Sequence, residues 1–210
     1  MPQPSFAESF LEESRQILAA LDVVAIERIA SGLAAIRERR GRLFILGVGG
    51  SAGHASHAVN DFRKICGIEA YAPTDNVSEL TARTNDEGWD TVFSSWLDVS
   101  HLGPDDGLLV LSVGGGNAEA NISTGLIRAI ERAAAANAAV YGIVGRDGGY
   151  TAAHADAAVI IPPLYPDHIT PHTEGLAAVV WHLIVSHPLL YQTVTKWESE
   201  SATNGAGGPA

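Results

Sequence analysis

Apolar positions recur at helical spacing through the first 40 residues. Phe6, Phe10, Leu11, Ile17, Leu18 and Leu21 mark one amphipathic helix, and Ile26, Ile29, Leu33 and Ile36 mark a second. Asp22 stands where it can cap the second helix, and Gly41 ends it after the turn Arg37-Glu38-Arg39-Arg40. The period then changes. Short apolar runs at Leu43–Leu46, Glu69–Ala72, Leu108–Ser112, Val140–Val144 and Ala158–Ile161 predict five strands. Between and after them, helices are predicted from Ser51 to about Cys66, and over Asn76–Arg83, Trp89–Ser100, Ala118–Ala136 and Gly175–Ser186. Nearly unbroken apolar strands alternating with helices indicate a parallel sheet covered on both faces. The expected class is α/β, a three-layer α/β/α sandwich around a five-stranded parallel sheet, preceded by N-terminal helices. With no repeat and no internal linker, residues 1–198 read as a single domain, and 199–210 as a disordered tail.

Composition narrows the picture without changing it. The 46% hydrophobic and 18% charged residues of this 210-residue chain suit a compact protein with a full core. Charges or glycines interrupt every apolar run before it reaches the roughly 18 residues of a membrane span. The start, Met1-Pro2-Gln3-Pro4-Ser5, lacks the basic beginning and apolar centre of a signal peptide. A single cysteine, Cys66, allows no intrachain disulfide, so a reducing cytoplasm is expected. A formal net charge of −11 argues against broad contact with nucleic acid or an anionic membrane. An anionic ligand must therefore be held locally.

Two loops offer such a hold. Gly47-Val48-Gly49-Gly50-Ser51-Ala52-Gly53 follows a strand and opens a helix, where backbone N–H groups and the helix dipole favour an oxyanion and Ser51 adds a hydroxyl donor. Its glycine spacing also fits a dinucleotide motif, but the second strand ends Tyr71-Ala72-Pro73-Thr74, without the ribose-binding acid that motif needs, and Asp75 comes too late. Ser112-Val113-Gly114-Gly115-Gly116-Asn117 again lies between a strand and a helix. Either loop alone is explained as a tight turn. Two at the carboxyl ends of parallel strands face one crevice and favour a compact phosphorylated ligand. A third, Gly145-Arg146-Asp147-Gly148-Gly149, reads as a structural turn.

Titratable groups cluster in two places. On the helix after the first loop, His54, His57 and Asp61 fall at ~0°, −60° and −20° and share a face, with His57 and Asp61 spaced to reach one metal ion or one substrate atom. A solvated face would give the same pattern. Near the C-terminus stand His168, His172, Glu174 and His182, the last inside an apolar run that would also suit a hydrogen-bonded core histidine. Glu174 and His182 are eight residues apart, ~12 Å along a continuous helix, so one helix cannot bring both to one point. Either the helix begins after Glu174, or the two residues serve sites in different subunits.

In these loops and clusters the chain resembles the sedoheptulose 7-phosphate isomerase (phosphoheptose isomerase) family of sugar-isomerase (SIS) domains. The resemblance rests on Gly-x-Gly-Gly-Ser-Ala-x-x-Ala-x-His within Leu43–Phe62, on Thr84-Asn85-Asp86, on Ser112–Asn117 and on Val144–Gly149, and it runs from about residue 5 to residue 190. It implies a Rossmann-like SIS fold and a homotetramer with active sites between subunits, the N-terminal helices forming part of the oligomer core. It also implies one Zn2+ per subunit. Family positions carried across make His57, Asp61, Glu174 and His182 the metal ligands, with Asp61, Glu174 and His182 also the acid–base group. They make Gly49, Gly50, Ser51, Ser112, Gly114, Gly115, Gly116 and Asn117 the phosphate loops, and Asn85 and Asp86 the contacts to sugar hydroxyls.

The chain departs from the family pattern at Val48, where Asn is usual, at Asp61, where Glu is usual, and at Glu174, where Gln is usual. Its second loop carries glycines in place of serines. The implied reaction is aldose–ketose isomerisation of sedoheptulose 7-phosphate to D-glycero-D-manno-heptose 7-phosphate through an enediol. Glu174 is favoured as base over Asp61, His182 moves oxygen-bound protons, and the metal polarises the oxygens. The alternatives are another phosphosugar as substrate, or a non-catalytic SIS domain that binds a phosphosugar or a protein partner.

Overall fold

The computed structural model describes residues 3–196 and Ser199; apart from Ser199, the tail expected from residue 199 onward lies outside the described residues. Five strands form one all-parallel sheet in the order β2-β1-β3-β4-β5: β1 Arg42–Leu46, β2 Glu69–Tyr71, β3 Gly107–Ser112, β4 Ala139–Val144 and β5 Ala157–Ile160. Each expected strand is present, with no end shifted by more than one residue. The helices are α1 Phe6–Ala19, α2 Val23–Glu38, α3 Gly50–Lys64, α4 Val77–Asp86, α5 Val92–Val99, α6 Thr124–Ala136, α7 Gly149–His154 and α8 Ile169–Val185.

Strand alternation divides the core. Leu43 and Ile45 of β1, Leu109 and Leu111 of β3 and Ile143 of β4 pack on one face beneath α2, α3 and α8, through Ile29, Leu33, Phe62, Val180 and Trp181. Phe44, Leu46, Leu108, Val110 and Val140 point the other way, to α5 and α6, meeting Phe93, Leu97, Leu126 and Ile130. Fully burying a residue of this size stabilises by about 1.5–3 kcal/mol, which makes the central strands the firm base of the molecule. Asp22 caps α2 as expected, accepting from the amides of Val24 at 2.9 Å and Ala25 at 3.2 Å.

Short α7 was not expected, α4 runs on to Asp86 and Trp89–Thr91 forms a 3-10 turn before α5, but two other differences from expectation bear on the site. The helix predicted from Ala118 starts only at Thr124, because Asn117 and Ile122 pair as an antiparallel bridge and Asn121 and Ser123 take left-handed backbone, φ 53° in each. The last helix begins six residues before Gly175, at Ile169. Pro171 falls in its first turn, where no amide is needed by the helix. Glu174 and His182 therefore share one unbroken helix, which removes the possibility that the helix starts after Glu174.

Candidate active site

The sheet order fixes where a ligand can enter. From β1 the chain moves outward to β2, then returns past β1 to β3, so the carboxyl ends of β1 and β3 diverge and leave a crevice between them. A cavity of about 470 Å³ lies there, lined by Val48 and Ser51 after β1, by Ser112, Gly114, Gly116 and Asn117 after β3, by Arg146 and Asp147 after β4, and by Glu174. The two glycine loops thus face one cavity.

The first loop ends in a bare helix start. Gly49 precedes α3 without any side-chain cap, so the first amides of the helix are left to an outside acceptor. Opposite them stands Glu174. A Cβ on Gly50 would meet Glu174 Oε1 at 2.7 Å, so the glycine is what lets this carboxylate sit against the helix end.

The second loop is held rigidly. Ser112 Oγ accepts from the Gly115 amide at 3.0 Å, and Asn117 Oδ1 accepts from the Ala120 amide at 2.8 Å. The Gly115 carbonyl accepts from both the amide and the hydroxyl of Thr151, at 2.9 and 2.7 Å. Gly115 has φ 67°, and a Cβ there would lie 2.0 Å from the Gly148 carbonyl oxygen. The third loop therefore serves as the floor on which the second is built, in keeping with its reading as a turn. Ser112 keeps its hydroxyl hydrogen free to donate, and Asn117 keeps its side-chain amide.

Arg146 is the residue that the sequence reading missed. It belongs to that third loop, with φ 56°, and its side chain lines the cavity, making no ion pair among the described residues. It supplies the cavity's one cationic side chain, against Asp147 and Glu174. A basic residue inside a glycine turn was the available signal, but its direction depends on the backbone angle.

The titratable group on α3 is assembled elsewhere. His57 Nε2 and His182 Nε2 each lie 3.7 Å from Asp61 Oδ2, and the three ligand atoms fall within 4.8 Å of one another. Asp61 is 8% exposed. The Trp181 ring packs edge-on to His57 with centroids 4.8 Å apart. His182 Nδ1 lies 2.7 Å from the Ala178 carbonyl, which can only accept, so Nδ1 carries the hydrogen and Nε2 turns its lone pair to the cluster. Ligand atoms on a tetrahedral zinc ion are about 3.3 Å apart, so a small contraction suffices and the donor set fits that ion.

Of the four residues expected to ligate one metal, the structure joins His57, Asp61 and His182 within the chain and places Glu174 in the cavity between the glycine loops. His54, expected on the same face, is not part of the group. Asn85 and Asp86 end α4, both exposed, with Asn85 Nδ2 donating to Asp86 Oδ1 at 2.7 Å, and neither lines the cavity.

No family model matches the chain. A phosphoheptose isomerase of Roseiflexus is 32% identical over 198 residues, covering 87% of this chain and 93% of its own. The lincomycin biosynthesis protein LmbN of Streptomyces lincolnensis is 31% identical over 194 residues, covering 87% and 69%. Among solved structures, the phosphoheptose isomerase GmhA of Neisseria gonorrhoeae superposes with a TM-score of 0.72 at 26% identity, over 84% of this chain and 94% of its own. A phosphoheptose isomerase of Francisella tularensis shares the fold with the same TM-score at 22% identity, over 88% and 97%.

Proposed function

This chain belongs to the phosphoheptose isomerase family and is a phosphosugar isomerase, and on that premise we propose that it interconverts sedoheptulose 7-phosphate and D-glycero-D-manno-heptose 7-phosphate through an enediol. The observation that carries the proposal is the cavity at the β1/β3 divide, where groups able to hold a phosphate share one space with the carboxylates of Glu174 and Asp147. The amides opening α3, the hydroxyls of Ser51 and Ser112 and the guanidinium of Arg146 bind the phosphate. Glu174 takes the proton from C1 of the ketose while the C2 oxygen gains one. The C1 hydroxyl of the enediol then loses its proton, and C2 receives one from the protonated Glu174. No redox partner is needed, since C1 is oxidised as C2 is reduced.

Proton transfer at the oxygens falls to His182, but its helix carries it away from Glu174. The proposed active form is therefore a homotetramer in which the His57–Asp61–His182 group of one copy completes the cavity of another. Exposed Phe6, Leu11, Val23 and Val179 support it, since burial against a second copy would remove them from water. His57, Asp61 and His182 would hold the zinc ion, with Glu174 close enough to feel it only across such an interface. When bound, that ion supplies a positive charge that polarises sugar oxygens. Asn85 and Asp86 are proposed to reach the sugar hydroxyls only in that assembly. A cytoplasmic location suits the phosphorylated substrate, and among the described residues no helix is long and apolar enough to cross a membrane. Residues 1–198 are taken to act as one domain.

The test is a panel of pentose, hexose and heptose phosphates, each followed for the matching isomer. Turnover of the heptulose phosphate above all others is expected. Preference for a shorter phosphosugar would favour a second reading, to which the glycine-rich second loop also points, because it offers fewer hydroxyls than the serine-rich family pattern.

A further inference from the structure

Away from the cavity, three titratable side chains converge between α1 and the start of α8. Glu13 Oε2 lies 2.8 Å from His168 Nδ1 and 2.8 Å from His172 Nε2. The two histidines are four residues apart across the first turn of α8, a spacing that lets both reach one ion. The Ser14 hydroxyl, 3.0 Å from the Phe10 carbonyl, also lies 3.4 Å from His172 Nδ1, behind the ring as seen from Glu13.

His172 is 3% exposed and lies beneath the stacked Phe10 ring at 4.3 Å, so packing fixes the buried ring, and the ligand atoms of the three residues all lie within 4.8 Å of one another. We propose that Glu13, His168 and His172 form a second divalent-metal site, of zinc type, that fastens α1 to α8. Two nitrogens and one carboxylate oxygen are a zinc donor set, with a fourth position left for water, and Ser14 orients the buried ring from behind. The side chains of His168 and Glu13 are 29% and 17% exposed, which leaves an entry path. The contacts need only widen from 2.8 Å to about 3.3 Å to admit a tetrahedral ion. Within one chain α1 is lightly anchored, Ile17 being its one fully buried residue.

The site is independent of the proposed catalytic metal, and metal counting separates the two. Full-length protein is stripped with a chelator, reloaded with Zn2+, freed of excess and analysed for metal. Two equivalents per subunit are expected, falling to one in Glu13→Gln and in His168→Gln. The rise in Tm on adding Zn2+ should shrink in those variants, and part of it should persist in His57→Ala. Equal metal content in wild type and His168→Gln would overturn the proposal. A wild-type count of one that His168→Gln abolishes and His57→Ala preserves would support it, and would instead remove the metal from the proposed reaction. Should the Gln variants fail to fold, Co2+ added to His57→Ala must still give the visible absorption of a four-coordinate site. A colourless His57→Ala protein means hydrogen bonding only, and ends the proposal.

Discussion

Replacing Gly50 by alanine separates the position of the Glu174 carboxylate from the stability of the fold. The new Cβ would stand 2.7 Å from Glu174 Oε1, 3.0 Å from Cδ and 3.1 Å from Oε2, where ordinary contact begins at 3.4 Å. The carboxylate must therefore recede by about 0.7 Å. It is the far end of a flexible side chain, so the move costs about 1 kcal/mol of rotamer strain. Alanine recovers up to about 1 kcal/mol over glycine in a helix, so net stability should stay within about 0.5 kcal/mol of wild type. Catalysis has no such offset. A misplacement of about 1 Å can cost roughly 100-fold, so this one is expected to lower kcat by about 20- to 50-fold. KM should change less than about threefold, because the phosphate amides remain in place. Thermal unfolding and steady-state isomerisation, measured on one preparation, are sufficient. A Gly50→Ala protein with wild-type Tm and kcat within twofold of wild type would refute the role given to Glu174.

Arg146→Ala should raise KM by about 10- to 100-fold with kcat little changed, since a charge-assisted hydrogen bond to phosphate contributes about 1.5–3 kcal/mol; an unchanged KM contradicts it. Burial alone would raise the pKa of Asp106, but the Arg42 guanidinium and the amides of Arg42 and Gly103 outweigh it and hold it below the usual value of 3.8. A depressed folded pKa stabilises at higher pH and is lost as pH falls through it, so Asp106→Asn should cost about 2–4 kcal/mol at pH 7, and the gap in urea unfolding should narrow below pH 3.8. A gap that widens with acid would count against the ion pair. Burial, with a small contribution from Asp61 and against Arg37, pushes the Cys66 thiol up to about 12. It should therefore ignore a thiol reagent at pH 8 until urea unfolds the chain, and rapid native labelling would contradict that burial.

The sheet was legible because each central strand is buried on both sides and so carries an unbroken apolar run. The glycine loops were legible because glycine-rich turns between a strand and a helix stand out along the chain. What failed to show was direction and long-range assembly. Ala118–Ser123 has helix-forming residues, yet the pairing of Asn117 with Ile122 holds it out of α6. The last helix was expected only from Gly175, yet it begins at Ile169 with Pro171 accommodated in its first turn. Arg146 was visible as a residue of a turn, but only its backbone angle sends it into the cavity. Glu13 meets His168 from 155 residues away, a contact made by the packing of α1 on α8 and by no local pattern. Glu174 and His182 were read as one metal set by resemblance, and the length of α8 is what keeps them apart in a single chain.

The central claim is that this cavity moves a proton between neighbouring carbons of a heptulose phosphate. Zinc-loaded protein incubated with sedoheptulose 7-phosphate in heavy water, followed by NMR, reads that event directly. The account predicts the aldose heptose 7-phosphate with solvent deuterium at C2, and loss of both product and label in Glu174→Gln. Neither aldose nor deuterium with the folded, zinc-loaded protein would contradict it.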